Sequence, residues 1–199
     1  PVCLVCGFDY SFGKGAEGKP ETLRDFFLPQ SIGVEIVDEI KDGFGKIGTT
    51  RIKGLLSEGK AEQAAVLLGE SYRMEGVVMH GYGVGNSRLG FPTANLSVPK
   101  EKHPLKSGVY AGRAKVDDNV FRAIINMGCR PTFDDDEIKA EAFLLDFDGN
   151  LYGKKITLFF DSFLRETKKF DNADCLKAQL EADRKEAIPV SYTHLRAHE

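Results

Sequence analysis

Four glycines fall within the ten residues 81–90 of the segment His80-Gly81-Tyr82-Gly83-Val84-Gly85-Asn86-Ser87-Arg88-Leu89-Gly90-Phe91-Pro92-Thr93-Ala94-Asn95. Glycines spaced in this way let backbone amides approach an anion closely, as a phosphate cradle requires. Arg88 adds a delocalised cation. Pro92 stiffens the chain just before Thr93 and Asn95, whose oxygens suit Mg²⁺ with water and phosphate completing its shell. The chemistry this spells is the binding of a nucleotide's phosphates. The alternative is a long Gly-rich surface loop, and residue types alone leave both readings open.

Glu141 is the second candidate. Strand alternation puts it on the same face as Phe143, Leu145 and Phe147. A carboxylate on an apolar face is costly unless partnered or used, and desolvation raises its pKa toward general-base values. The alternative is a strand-end glutamate reaching solvent.

Other motifs carry less. Gly13-Lys14-Gly15-Ala16-Glu17-Gly18-Lys19 has P-loop spacing up to its lysine, but Pro20 follows where the motif needs a Ser or Thr hydroxyl for Mg²⁺. Gly43-Phe44-Gly45-Lys46-Ile47-Gly48 matches GxGxxG, yet Ile40-Lys41-Asp42 separates it from the preceding strand. Cys3-x-x-Cys6 has no second pair and sits in an apolar strand, so it reads as two small buried side chains.

The elements that must position these residues fall into two regimes. Through about Gly69, strands and helices alternate: an apolar run at residues 2–8, a helix opened by Pro20-Glu21-Thr22-Leu23, a strand at residues 33–37, a helix from Thr50 and another from Ala61 to Leu68 with Gly69 as its C-cap. This is α/β patterning of the nucleotide-binding sort. From Tyr72 the chain is mostly strand, with runs at residues 76–79, 109–116, 120–127, 140–147 and 155–160. Asp117-Asp118-Asn119 and Asp148-Gly149-Asn150 are turn signals between them. Consecutive hairpins of this length predict a small antiparallel barrel. Ala173, Leu176, Leu180 and Ala187 then recur at helical spacing, with Asp171 or Asn172 placed to cap the helix.

The 199 residues are 42% hydrophobic and 29% charged, which excludes a disordered or collagenous chain. No apolar run approaches the ~20 residues of a spanning helix, and Cys3, Cys6, Cys129 and Cys175 are too few and scattered for a secreted disulfide framework. A cytoplasmic protein is expected. Residues 1–71 carry 8 basic and 11 acidic side chains and residues 72–189 carry 18 of each, so neither part has the basic excess that nucleic acid demands. Any phosphate must be held by a local loop. Because Pro1 leads straight into a strand, the chain is expected to start inside a domain. Ile188-Pro189 is expected to close the last helix, and residues 189–199 read as a non-native tail. With the tail set aside, His80 and His103 are the remaining candidate histidines, which argues against zinc or histidine-base chemistry.

Gly90-Phe91-Pro92-Thr93-Ala94-Asn95, with the glycines before it, resembles the signature of riboflavin kinases. The resemblance extends through Gly108-Val109-Tyr110-Ala111-Gly112, Arg130-Pro131-Thr132-Phe133, Glu141, residues 144–147, Tyr152-Gly153 and Phe163-Leu164-Arg165. The first regime resembles the back half of the FMN adenylyltransferase domain that bacteria fuse ahead of that kinase, through residues 7–15 and 47–52. The chain thus resembles a bifunctional FAD synthetase shortened at its N-terminus. The implied fold is α+β: residues 72–188 a small antiparallel Greek-key barrel with a C-terminal helix, and residues 1–70 the C-terminal part of an α/β nucleotidyltransferase domain.

The resemblance also implies a reaction, transfer of the ATP γ-phosphate to the 5′-hydroxyl of riboflavin to give FMN. Gly81, Gly83, Gly85 and Arg88, with Thr93 and Asn95, would bind ATP, and Thr93 and Asn95 would ligate Mg²⁺. Glu141 would be the base, and Arg130, Thr132 and Arg165 would lie on the flavin side. For Arg165 the alternative is a surface pair with Glu166 or Asp161. Thr49, Thr50 and Arg51 would be the remnant of the nucleotidyltransferase site, where the family has a Ser-Ser-Thr-Arg-like segment. The family's upstream HxGH-type motif is missing, which argues against adenylyl transfer by this chain alone. In the kinase part Phe143 and Cys129 stand where the family often has His and Thr, and neither change removes a group that must act chemically. Two other functions stay open, a flavin-binding barrel without catalysis and residual FMN adenylyltransferase activity. The implied partners are riboflavin or FMN and ATP or ADP, with no nucleic acid and no membrane.

Overall fold

The computed structural model describes residues 3–79, 93–97, 102–132, 135–170 and 172–195, with the side chains of 129–138, 173 and 188–195 left aside. The chain divides into two compact units, Pro1–Arg51 and Ile52–Glu199.

In the first unit, β1 (Cys3–Gly7) pairs in parallel with β2 (Gly33–Val37), from Cys3 opposite Gly33 to Gly7 opposite Val37. Parallel strands need a crossover, and α1 (Pro20–Phe27) supplies it. Pro20 stands in its first turn, where no N–H is wanted, and the Lys19 amide donates to Thr22 Oγ1 at 3.3 Å. A short hairpin follows, β3 (Lys41–Asp42) and β4 (Gly45–Lys46), and then α2 (Thr49–Ser57).

The second unit holds α3 (Ala61–Leu68), closed by Gly69 at φ 77°, and a six-stranded antiparallel sheet. Its strands are β5 (Tyr72–Val77), β6 (Thr93–Ser97), β7 (Gly108–Val116), β8 (Asn119–Thr132), β9 (Asp135–Leu144) and β10 (Lys155–Arg165). Helix α4 (Ala173–Leu195) closes the chain. The spatial order is β5-β10-β7-β8-β9-β6. β7, β8 and β9 are successive strands, and β10 returns to lie beside β7, which is a Greek key. Just past β5, the Met79 amide donates to the Asn95 carbonyl of β6 at 2.9 Å, so the sheet curls until its two edges meet. Gly112 is needed where β7 and β10 approach: a Cβ there would stand 2.1 Å from the Phe159 carbonyl, beside the bulge between Phe160 and Ser162.

The fold is α+β, a curled antiparallel half-barrel with a C-terminal helix. One face of the sheet buries Tyr110, Met127, Ala142, Leu158 and Phe160 with Leu56, Ala61 and Ala64 of α2 and α3. The opposite face buries Val109, Ile124, Phe143 and Leu145 under Leu176 and Leu180 of α4. Two ion pairs lock the edges of this packing. Arg165 of β10 grips Asp183 of α4 at both oxygens, 2.9 and 2.7 Å, and Gln179 donates to the same carboxylate. Arg113 grips Asp161, which is 1% exposed and also accepts from Ser71.

The structure departs from the sequence patterning at definite points. Thr93–Ser97 is a strand rather than loop, held by pairing with β9. β8 runs beyond the expected residues 120–127 through Arg130-Pro131-Thr132, which pair with Glu137, Asp136 and Asp135. Phe147 is not on the face of Glu141. β9 ends at Leu144, Asp146 turns with φ 60°, and Phe147 packs on Phe121 against the other cluster. Helix α4 does not stop at Ile188-Pro189 but continues to Leu195. A proline removes one hydrogen bond and bends a helix without forbidding the next turn. Cys3 is exposed and Cys6 half-buried, because among the described residues 3–51 only Pro20 is buried. The P-loop-like stretch is a turn from Gly13 through Ala16 closed by a Phe12–Gly18 bridge, and Gly43-Phe44 is the tip of the β3–β4 hairpin. Patterning changes near residue 70, but the second compact unit already takes in α3 and α2 from Ile52, whose apolar side chains bury in its core.

Candidate active site

Antiparallel register brings three polar residues into one row. Asn95 of β6 stands opposite Glu141 of β9, and Glu141 stands opposite Asn126 of β8. The row continues to Val109 of β7 and Arg165 of β10. Directly opposed residues share a face, and here it is the face covered by α4. The neighbours on these strands, Ala94, Ala140, Ala142 and Met127, point into the barrel core instead. Thr93 precedes Asn95 by two positions on the same face, opposite Phe143, and is 6% exposed. Glu141 and Asn95 are half-buried.

So the structure brings Thr93, Asn95 and Glu141 together on rigid strands. It also adds Asn126, whose Oδ1 accepts from the Thr167 hydroxyl at 3.3 Å. Sequence reasoning missed Asn126 because register between strands is not written in local spacing. Gly81, Gly83, Gly85, Arg88 and His80 lie outside the described residues, as do the side chains of Arg130 and Thr132. Arg165 takes neither partner named for it as an alternative: its guanidinium is committed to Asp183, with a further bond to the Glu166 carbonyl at 3.1 Å. His103 is tied to α2, its Nε2 lying 2.9 Å from Ser57 Oγ and 3.1 Å from the Lys53 carbonyl.

Next to this row an apolar cleft opens, lined by Ile124, Phe143, Leu145, Leu180, Glu181 and Arg184. Arg184 and Arg122 both donate to Asp146 at its rim. Tyr110, at the far side of the sheet, donates to the Lys106 carbonyl, and burial pushes its phenol well above the ordinary range.

In the first unit, Arg51 forks onto Asp42 with two bonds of 2.8 Å and reaches the Gly45 carbonyl. The guanidinium's hydrogen bonds hold the Asp42 carboxyl below its ordinary range. Thr49 and Thr50 open α2 beside it in sequence. Lys46 pairs with Asp9 and lies 4.6 Å over the Phe8 ring.

The family described as riboflavin kinase, or flavokinase, matches residues 68–190. The chain belongs to the riboflavin kinase family. Two curated relatives are named bifunctional riboflavin kinase/FMN adenylyltransferase. The one from Listeria monocytogenes is 37% identical over 181 residues, 90% of this chain and 57% of that protein. The one from Bacillus subtilis is 34% identical over 187 residues, 92% of this chain and 58% of that protein. The chain therefore spans a little over half the length of these relatives. A solved structure from Streptococcus pneumoniae, titled a macrolide-efflux protein, superposes with a TM-score of 0.80 at 33% identity, over 92% of this chain and 59% of that one. Among the described residues no helix is long and apolar enough to cross a membrane. The residues that the family matches thus take in the Greek-key half-barrel and most of its helix.

Proposed function

We propose that the chain transfers the γ-phosphate of ATP to the 5′-hydroxyl of riboflavin, giving FMN and ADP, and that Glu141 is the general base. The observation that carries this reading is the register row in which Glu141 sits between Asn95 and Asn126, two positions from Thr93, on a half-buried face beside an apolar cleft. Glu141 takes the proton of the 5′-hydroxyl as that oxygen bonds to the γ-phosphorus and the β–γ bridging oxygen leaves with ADP. Such a reaction rests on positioning and charge neutralisation. The glycine amides of residues 81, 83 and 85, with Arg88, hold the phosphates. Arg130 and Thr132 serve the flavin, and Arg165 contributes by seating α4 through Asp183.

Neutral side-chain oxygens beside a single carboxylate suit Mg²⁺ that arrives with phosphates, since that ion keeps waters and takes few protein ligands. Among the described residues there is no cluster of three or more His, Cys, Asp or Glu for a resident ion. Thr93 and Asn95 would hold Mg²⁺, and bound there it would neutralise charge on the β- and γ-phosphates.

We read the parallel β1–β2 unit as part of an adenylyltransferase domain, with Thr49, Thr50 and Arg51 as the remnant of its site. The relatives' names and the forked Arg51–Asp42 pair support that reading. A cytoplasmic location fits a reaction that uses ATP.

Riboflavin fluorescence titrated with and without Mg-ATP tests the kinase against a flavin-binding barrel that does no chemistry. The kinase predicts time-dependent FMN formation that Asn95→Ala impairs. Binding that is indifferent to both Mg-ATP and Asn95→Ala would leave only the barrel.

A further inference from the structure

Asn126 is the polar residue of this face that the proposed reaction does not use. It is half-buried, with apolar Val109 beside it on β7 and Ile124 two positions back on its own strand. An amide among apolar neighbours costs free energy unless its hydrogen-bonding groups are used. Its Oδ1 is used, accepting from the Thr167 hydroxyl at 3.3 Å. Its two Nδ2 donors have no partner among the described residues. With the oxygen tied to Thr167, the donors are held on the other branch of the amide, ready for an acceptor from outside the chain.

The order of the row says what that acceptor is. Asn95, Glu141 and Asn126 follow one another across β6, β9 and β8. In-line transfer sets the phosphorus and the carbon chain of the alcohol on opposite sides of the attacking oxygen. Thr93 and Asn95 occupy the metal and phosphate side of Glu141, so Asn126 stands on the side of the alcohol. Directly opposed residues have Cβ atoms about 4.5–5.5 Å apart. The Nδ2 donors therefore lie a short step from the hydroxyl that Glu141 meets, the spacing of neighbouring hydroxyls along a polyol chain. A neutral donor between apolar neighbours suits a neutral hydroxyl better than a phosphate.

We propose that Asn126 is a specificity residue for the alcohol: its Nδ2 donates to a ribityl hydroxyl close to the 5′-hydroxyl, while Thr167 holds the amide in that orientation. The site thereby selects an alcohol whose chain carries further hydroxyls over one that carries the terminal hydroxyl alone. This rests on the kinase reading, with Glu141 as the base.

The test is steady-state phosphorylation by the full chain with Mg-ATP of two alcohols, riboflavin and an analogue whose side chain keeps only the terminal 5′-hydroxyl. The quantity read is the ratio of their kcat/KM values. Asn126→Leu, apolar like Val109 and Ile124, and Asn126→Ala each remove the donors without adding charge. Both should raise the KM for riboflavin about 5- to 10-fold, leave the KM for ATP at the parent's value, and lower the ratio by the same factor. Thr167→Val keeps the donors but frees the amide, and should lower the ratio less. A side chain that only packs would slow both alcohols alike, so an unchanged ratio in Asn126→Ala overturns the inference whatever happens to kcat. A change confined to the KM for ATP overturns it too, in favour of a contact to the nucleotide. A parent chain that makes no FMN removes the kinase reading and this inference together. FMN from the parent beside an unchanged ratio in the variants removes this inference alone.

Discussion

The two units use similar apolar compositions to opposite effect. In the half-barrel, β7 alternates between a core face and a helix-covered face, and its apolar residues Val109, Tyr110, Ala111, Ala114 and Val116 are all buried. In the first unit, β1 and β2 are just as apolar, yet Val5 and Val37 are exposed, as are Phe26, Ile40 and Phe44. A parallel pair normally has both faces covered. Stability follows burial rather than composition, so the half-barrel is the rigid part, and it is the part that carries the candidate site.

Substitutions should sort by unit. The largest loss is expected from Asp183→Asn, because it leaves Arg165 without its carboxylate at a site where the pair is only 16% and 2% exposed. Removing one partner of such a pair costs about 3–5 kcal/mol, readable in urea unfolding. Gly112→Ala should come next, at about 3 kcal/mol, since its Cβ would meet the Phe159 carbonyl. Ser71→Ala takes a hydrogen bond from the buried Asp161 and should cost about 1–3 kcal/mol. At the small end, Arg51→Met should leave the unfolding midpoint of the half-barrel unchanged, although its fork onto Asp42 looks equally well made. That pair is solvent-screened. Its carboxyl is depressed, so whatever it contributes is present above the ordinary carboxylate pKa and fades as pH falls through the lowered one. Carboxyl NMR should find Asp42 titrating below its ordinary value. Amide exchange sharpens the contrast further, with β1 and β2 exchanging before β7 and β8. The reverse order would break it.

Much of this was legible in local sequence. The turn at Asp117-Asp118 marked the β7–β8 hairpin, Asn172 caps α4 by accepting from the Cys175 amide, and Gly69 ends α3. Asp148-Gly149-Asn150, by contrast, makes no hairpin, because β10 crosses over to pair with β7 and β5 instead of β9. Thr93, Asn95 and Glu141 were singled out by residue type, and the β6–β9 register sets them near one another. What stayed hidden depends on pairing between strands distant in sequence. Asn126 gains its place only from the β8–β9 register, and Arg165 finds Asp183 only once α4 crosses β10. Phe147 shows the limit of alternation, which fails as soon as a turn intervenes. Cys3 and Phe44 show the complementary limit, since an apolar residue is buried only if something covers it.

The central claim is that one carboxylate on the half-barrel face serves phosphoryl transfer to riboflavin. Its most direct test is FMN formation from riboflavin and Mg-ATP by the chain and by Glu141→Gln. The account predicts FMN from the parent and a fall of about 10²–10⁴-fold in kcat for the variant, with riboflavin still bound. Undiminished turnover in Glu141→Gln would contradict it.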